Sequence, residues 1–108
     1  ITIVCAESVE KAKDIIKLKP SAIALEDPDL INTGKSITKY QPKQLEKFIK
    51  LLKGKSIIPI CGAGISSIED VKAAYKFGCK GVLIASAIAN SKNPAQFLKQ
   101  LGDFDFSR

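Results

Sequence analysis

The sequence predicts an α/β fold with a parallel sheet, built from four βα units that amount to about half of a (β/α)8 barrel. Three observations carry this. Four short apolar runs, Ile1–Ala6, Ala22–Leu25, Ile57–Cys61 and Val82–Ala85, show little polar alternation, as strands buried on both faces of a parallel sheet do. Each run is followed by a segment of helical period. The chain has 108 residues, against the ~250 of a typical eight-unit barrel and the ~200 of a compact one.

The elements follow in order. After the first run, Val9, Ala12, Ile15 and Ile16 recur at helical spacing and stop before Pro20. The second helix opens near Pro42, a residue suited to a first turn because its missing N–H is unpaired there anyway, and ends near Gly54. Ser66-Ser67-Ile68-Glu69 has the S-x-x-E spacing in which Ser66 and Glu69 satisfy each other's amides, and that helix ends at Gly78. Asn93-Pro94 begins the fourth helix, with Phe97, Leu98 and Leu101 on its apolar side. Pro59 weakens the third strand, since it donates no ladder hydrogen bond. Alternating units of this kind imply right-handed crossovers. No Pro/Gly/Ser-rich linker interrupts residues 1–108, so no internal domain boundary is expected.

Composition narrows the chemistry. With 45% apolar and 26% charged residues, wholesale disorder is excluded, and no apolar run reaches the ~18 residues of a membrane span. The absence of His excludes His-dependent triads and His metal sites carried by this chain. Three cysteines, none in a C-x-x-C pair, leave no disulfide framework; Cys5, Cys61 and Cys79 read as small buried hydrophobes in a reducing cytoplasm. The net charge of +6 invites nucleic acid. Yet Lys43, Lys47 and Lys50 lie opposite Leu45, Phe48, Ile49 and Leu52, as on the solvated side of an amphipathic helix, and Arg108 is the sole arginine. Neither nucleic acid nor membrane is an expected partner. The chain starts at Ile1 rather than Met, and the expectation is that something upstream is absent.

Chemistry concentrates at three strand-to-helix junctions. Glu26 follows the second strand directly, where barrel enzymes place catalytic groups; from spacing alone it serves equally well as a helix cap or an ion-pair partner. Leu30-Ile31, between Pro28 and Gly34, has the pattern of a lid tip with a hinge on each side. Gly62-Ala63-Gly64 and Ala85-Ser86-Ala87 end the next two strands. Glycines let backbone N–H groups approach an anion, and a short helix starting at Ala85–Ser86 would aim its N-terminus at the same anion.

Together, Ala24-Leu25-Glu26-Asp27-Pro28-Asp29-Leu30-Ile31-Asn32-Thr33-Gly34, Cys61-Gly62-Ala63-Gly64-Ile65-Ser66 and Gly81-Val82-Leu83-Ile84-Ala85-Ser86 resemble the archaeal-type triosephosphate isomerase family. The opening Ile3-Val4-Cys5-Ala6 and the Asn93-Pro94 helix start fit as well. The resemblance covers essentially the whole chain but only the C-terminal half of that family's TIM barrel. It implies that Glu26 is the catalytic base, that Ile31, Asn32, Gly64, Ala85 and Ser86 hold the substrate phosphate, and that no metal or cofactor is used. It implies a triose phosphate substrate, a homo-oligomer in the cytoplasm, and an N-terminal half-barrel that carries the catalytic His and Lys. Asp27 stands where the family usually has Pro, Asn32 where it has Gly, and Ala87 where Gly is common. The alternatives are another phosphate-binding barrel enzyme and a self-associating half-barrel that only binds phosphorylated ligands.

Overall fold

The computed structural model describes residues 1–105; Arg108 lies outside the described residues. Strand β1 (Ile3–Ala6) leads into helix α1 (Val9–Ile16), whose N-cap Ser8 accepts from the Lys11 amide. Strand β2 (Ala22–Leu25) is buried at all four positions, as its apolar run requires. Beyond it come a short helix α2 (Ile37–Tyr40), helix α3 (Pro42–Leu52) with proline in its first turn, and strand β3 (Ile58–Cys61). Helix α4 (Ile68–Phe77), strand β4 (Gly81–Val82), the four-residue helix α5 (Ser86–Ala89) and helix α6 (Pro94–Asp103) complete the chain. No described helix is long and apolar enough to cross a membrane.

The strands form one sheet in the order β1-β2-β3-β4, every pair parallel. This is the open, four-unit arrangement expected. Pro59 sits opposite Ile23 without breaking the ladder, because Ile58 and Ile60 on either side of it carry the pairing. β4 departs from the sequence reading. Its paired residues are Gly81 and Val82 rather than Val82–Ala85. The Leu83 amide still donates to the Cys61 carbonyl at 2.9 Å, after which the chain leaves the sheet at β4, an edge strand among the described residues.

Register divides the sheet into two unlike faces. Ala6, Ile23, Leu25 and Cys61 share one face with the helix residues Ala12, Leu45, Phe48, Val71 and Ala74, and make the main core. Burying such side chains stabilises by roughly 1.5–3 kcal/mol each for the larger ones. The other face carries Ile3, Cys5, Ala22, Ala24, Ile58 and Ile60. Only Ala22, Ala24 and Ile60 form a small buried cluster there, with Leu83 beside it. Ile3 and Ile58 are about half exposed, at 52% and 48%. In a closed barrel this second face would be filled by layers of side chains from the remaining strands.

Helix α4 also starts differently from expectation. Its N-cap is Ser67, whose hydroxyl accepts from the Asp70 amide at 3.2 Å, so the cap is the Ser67–Asp70 pair and not Ser66–Glu69. Both pairs have the required spacing. Burial decides between them: Asp70, Val71 and Ala74 turn inward.

Candidate active site

All four strands run the same way, so their C-terminal ends meet at one rim. There the chain forms a cleft of about 720 Å³. The residues singled out in the sequence, Glu26, Ile31, Asn32, Gly64, Ala85 and Ser86, all line it. Among the described residues, no lysine or arginine lines it.

Glu26 continues β2 by one residue, its amide donating to the Ala6 carbonyl at 2.9 Å. Its side chain therefore rises from the open face, beside Cys5 and Gly62. The Cys5 thiol donates to Glu26 Oε1 at 3.5 Å. Partial burial, and then the Glu26 carboxylate, push the Cys5 thiol up from its ordinary value of 9.0. Gly62 makes room on the opposite side. A Cβ there would come within 2.8 Å of Glu26 Cγ and 2.9 Å of its Cδ, closer than nonbonded carbons stand. Glycine at this position thus sets where the carboxylate lies. Sequence reasoning missed that role, because Gly62 looked only like part of an anion-binding turn.

The segment after Glu26 folds as a series of tight turns. Asp27 accepts from the Leu30 amide through its carbonyl and from the Asp29 amide through Oδ1, both near 3 Å. The Thr33 hydroxyl donates to the Leu30 carbonyl at 2.6 Å. Leu30 is buried while Ile31 stands 41% exposed at the mouth of the cleft. Asn32 has φ +61, the left-handed conformation that Asn tolerates better than most residues. Asn32 thus reaches a backbone conformation that glycine adopts most readily.

Lys35–Ile37 then lies against the turn after β3. The Ile37 amide donates to the Ala63 carbonyl at 3.2 Å. Ala63 and Gly64 are both left-handed, at φ +66 and +76, and a Cβ on Gly64 would overlap the Lys35 carbonyl. The Lys35 ammonium sits 5.7 Å from the Tyr40 ring centroid, a cation–π contact outside the cleft. Behind the turn, Asp70 accepts from the Ser66 amide and hydroxyl at 3.0 and 3.3 Å, and lies 3.9 Å from Lys39. On the far wall Ala85 precedes α5, its carbonyl accepting from the Ile88 and Ala89 amides. The Ser86 and Ala87 peptides open that turn at the cleft wall.

Among the described residues, one carboxylate thus shares the cleft with Gly, Ala, Ser and Asn residues and with the aliphatic side chains of Ile31, Ile65, Leu83 and Ile84. Such a site can accept a proton from a carbon acid and can bind an anion through N–H groups rather than through charge. Among the described residues no group of three or more His, Cys, Asp or Glu side chains could hold a metal ion.

Comparison with known proteins bears on this geometry. The family model described as triosephosphate isomerase matches residues 2–101. A triosephosphate isomerase of Methanocaldococcus jannaschii is 40% identical over 105 residues, covering 95% of this chain and 48% of the relative. That of Methanobrevibacter smithii is 42% identical over 100 residues, covering 91% and 45%. The chain spans about half the length of the curated relatives it matches. Among solved structures, a BexX/CysO complex of Amycolatopsis orientalis superposes with a TM-score of 0.71 at 16% identity, over 92% of this chain and 38% of that one. A mandelate oxidase variant with 2-hydroxy-phenylacetamide superposes at 0.64 and 20% identity, over 94% and 31%. These two likenesses concern the fold alone.

Proposed function

This chain belongs to the triosephosphate isomerase family, and from that premise we propose that it is the C-terminal half of such an enzyme, carrying the catalytic base and the phosphate wall. The observation that carries the proposal is the meeting of Glu26 with Ile31, Asn32, Gly64, Ala85 and Ser86 around one cleft.

In this reading Glu26 takes a proton from C1 of dihydroxyacetone phosphate and returns it to C2, giving glyceraldehyde 3-phosphate through an enediolate. The peptide N–H groups of Gly64 and of the Ala85–Ser86 turn hold the phosphate. The Ile31–Asn32 tip closes over it and excludes water from the enediolate, so binding energy at the phosphate is used at the reacting carbons. The developing oxyanion needs an electrophile, and this chain has no His. A first half-barrel, supplying a His and a Lys, completes the site and brings a cation to a cleft that has none among the described residues. The same reading makes the enzyme cytoplasmic, homo-oligomeric and part of glycolysis and gluconeogenesis; three free thiols suit a reducing compartment.

Isomerase turnover tests this, measured for the chain alone and after addition of the N-terminal half of a triosephosphate isomerase such as the M. jannaschii relative. The expected result is no turnover alone and turnover in the mixture, with Glu26→Gln lowering kcat by roughly 10²–10⁴. Robust turnover by the isolated chain would sink the half-enzyme account. Unchanged kcat in Glu26→Gln would take the role of base away from Glu26, and no isomerase turnover in the mixture would favour a different phosphate-binding barrel chemistry. A second reading, self-association of two half-barrels, is favoured by the half-exposed Ile3 and Ile58 on the open face, and a solution mass of two chains without a partner would support it.

A further inference from the structure

Asp70 is unusual for the first turn of a helix. Carboxylates there gain from the helix dipole while remaining in water, yet Asp70 is only 3% exposed. A buried carboxylate persists when donors and a cation compensate its lost hydration. Both of its side-chain-derived and amide donors come from one residue, Ser66, which contributes N–H at 3.0 Å and O–H at 3.3 Å to Oδ2. A reciprocal helix cap would return to the amide of the N-cap residue, here Ser67. Asp70 reaches one residue further back, into the loop that walls the cleft. Its other oxygen lies 3.9 Å from Lys39 Nζ on α2, the helix into which the lid runs.

We infer that Asp70 is a positioning residue for the anion-binding wall, acting by anchoring the exit of the Ala63–Ser66 loop. This rests on the phosphate reading proposed above. Gly64 is left-handed at φ +76, and a glycine peptide has wide rotational freedom unless its neighbours are fixed. Upstream, the Ile37 amide holds the Ala63 carbonyl. Downstream, Asp70 holds both donors of Ser66. The Ile37 bond holds the Ala63–Gly64 peptide directly, and the Ser66 anchor holds the Gly64–Ile65 stretch that follows it against the cleft. Lys39 ties the same carboxylate to the end of the lid. Ser66 lines the cleft but gives its donors to Asp70, so its part is to transmit the anchor and not to bind the anion.

The test is a titration of the isotope-labelled chain with inorganic phosphate, followed at the Gly64 and Ser66 amide resonances, with folding checked by thermal melts. Asp70→Ala is expected to weaken phosphate binding about three- to tenfold, the scale of one lost hydrogen bond, and to shrink the phosphate-induced shift at Gly64. Asp70→Asn, which keeps a carbonyl acceptor for Ser66, is expected to restore most of that loss. Should Asp70→Ala fail to fold, Ser66→Ala removes one of the two bonds and is expected to give a smaller loss in the same direction. Binding unchanged in the folded variants overturns the inference. So does tighter binding, which would mean that freed Ser66 donors turn to the anion. A wild-type chain with no response at Gly64 overturns the phosphate reading itself, and the inference with it.

Discussion

Glu26 is placed as much by what its neighbours lack as by what they offer. On one side Cys5 donates a weak thiol hydrogen bond; on the other, Gly62 leaves open the space a Cβ would occupy 2.8 Å from Glu26 Cγ. Gly62→Ala is therefore expected to turn the carboxylate away from its present direction. In the complemented enzyme kcat should fall about ten- to a hundredfold, the cost of misplacing a reacting group by roughly an ångström, while the melting temperature moves little. Steady-state kinetics beside a thermal melt separate the two effects. At this scale the sequence was informative about residue type and silent about adjacency. A carboxylate at a strand end and glycines in turns could be read directly. That Gly62 faces Glu26 follows only from the β2–β3 register, in which Leu25 is opposite Cys61. Asp70 escaped notice for a related reason: nothing in Ser-Ser-Ile-Glu-Asp says which acid turns inward.

At the level of elements, strongly periodic segments were legible and short ones were not. α1, α3, α4 and α6 begin and end within a few residues of their expected limits, because caps and prolines punctuate them. α2 was missed. Its four residues are too few to show a period, and it is held by Ser36, whose hydroxyl is buried, accepts from the Thr38 amide and bonds the Thr38 hydroxyl at 2.7 Å. The start of α4 was ambiguous, since two adjacent serines each had an acid three residues on. The structure resolves it in favour of Ser67. Ser67→Ala should then destabilise the chain by ~1 kcal/mol through the lost cap, whereas Glu69→Ala should stay within about 0.5 kcal/mol, as exposed substitutions do. Urea unfolding of the two variants measures the contrast. A larger loss in Glu69→Ala than in Ser67→Ala would place the cap at Ser66 instead.

For the whole molecule, the thiols tie stability to pH. The neighbouring Cys79 thiol, burial and the nearby Asp70 charge together hold the Cys61 thiol far above its ordinary value of 9.0, and Cys5 moves the same way. Both thiols keep their protons more firmly in the folded chain than in the unfolded one. Their stabilising contribution is thus complete below about 9.0 and is lost as pH rises past it, where unfolded thiols ionise first. Urea midpoints should be flat near neutrality and fall above that value, and Cys61→Ala should flatten the fall. The half-barrel architecture itself was readable from length and from the count of βα units. The unevenness of its parts was not, because exposure depends on which strands stand at an edge. β2 is enclosed by β1 and β3 and buried throughout, while β4 pairs through two residues and neither α5 nor α6 buries a side chain fully. Local opening starts where few apolar contacts must be broken. The last βα unit, and with it the Ala85–Ser86 wall, should therefore breathe long before the strand that carries Glu26 gives way. If the proposed function holds, the chain would then forget how to grip a phosphate before it forgets where to put a proton.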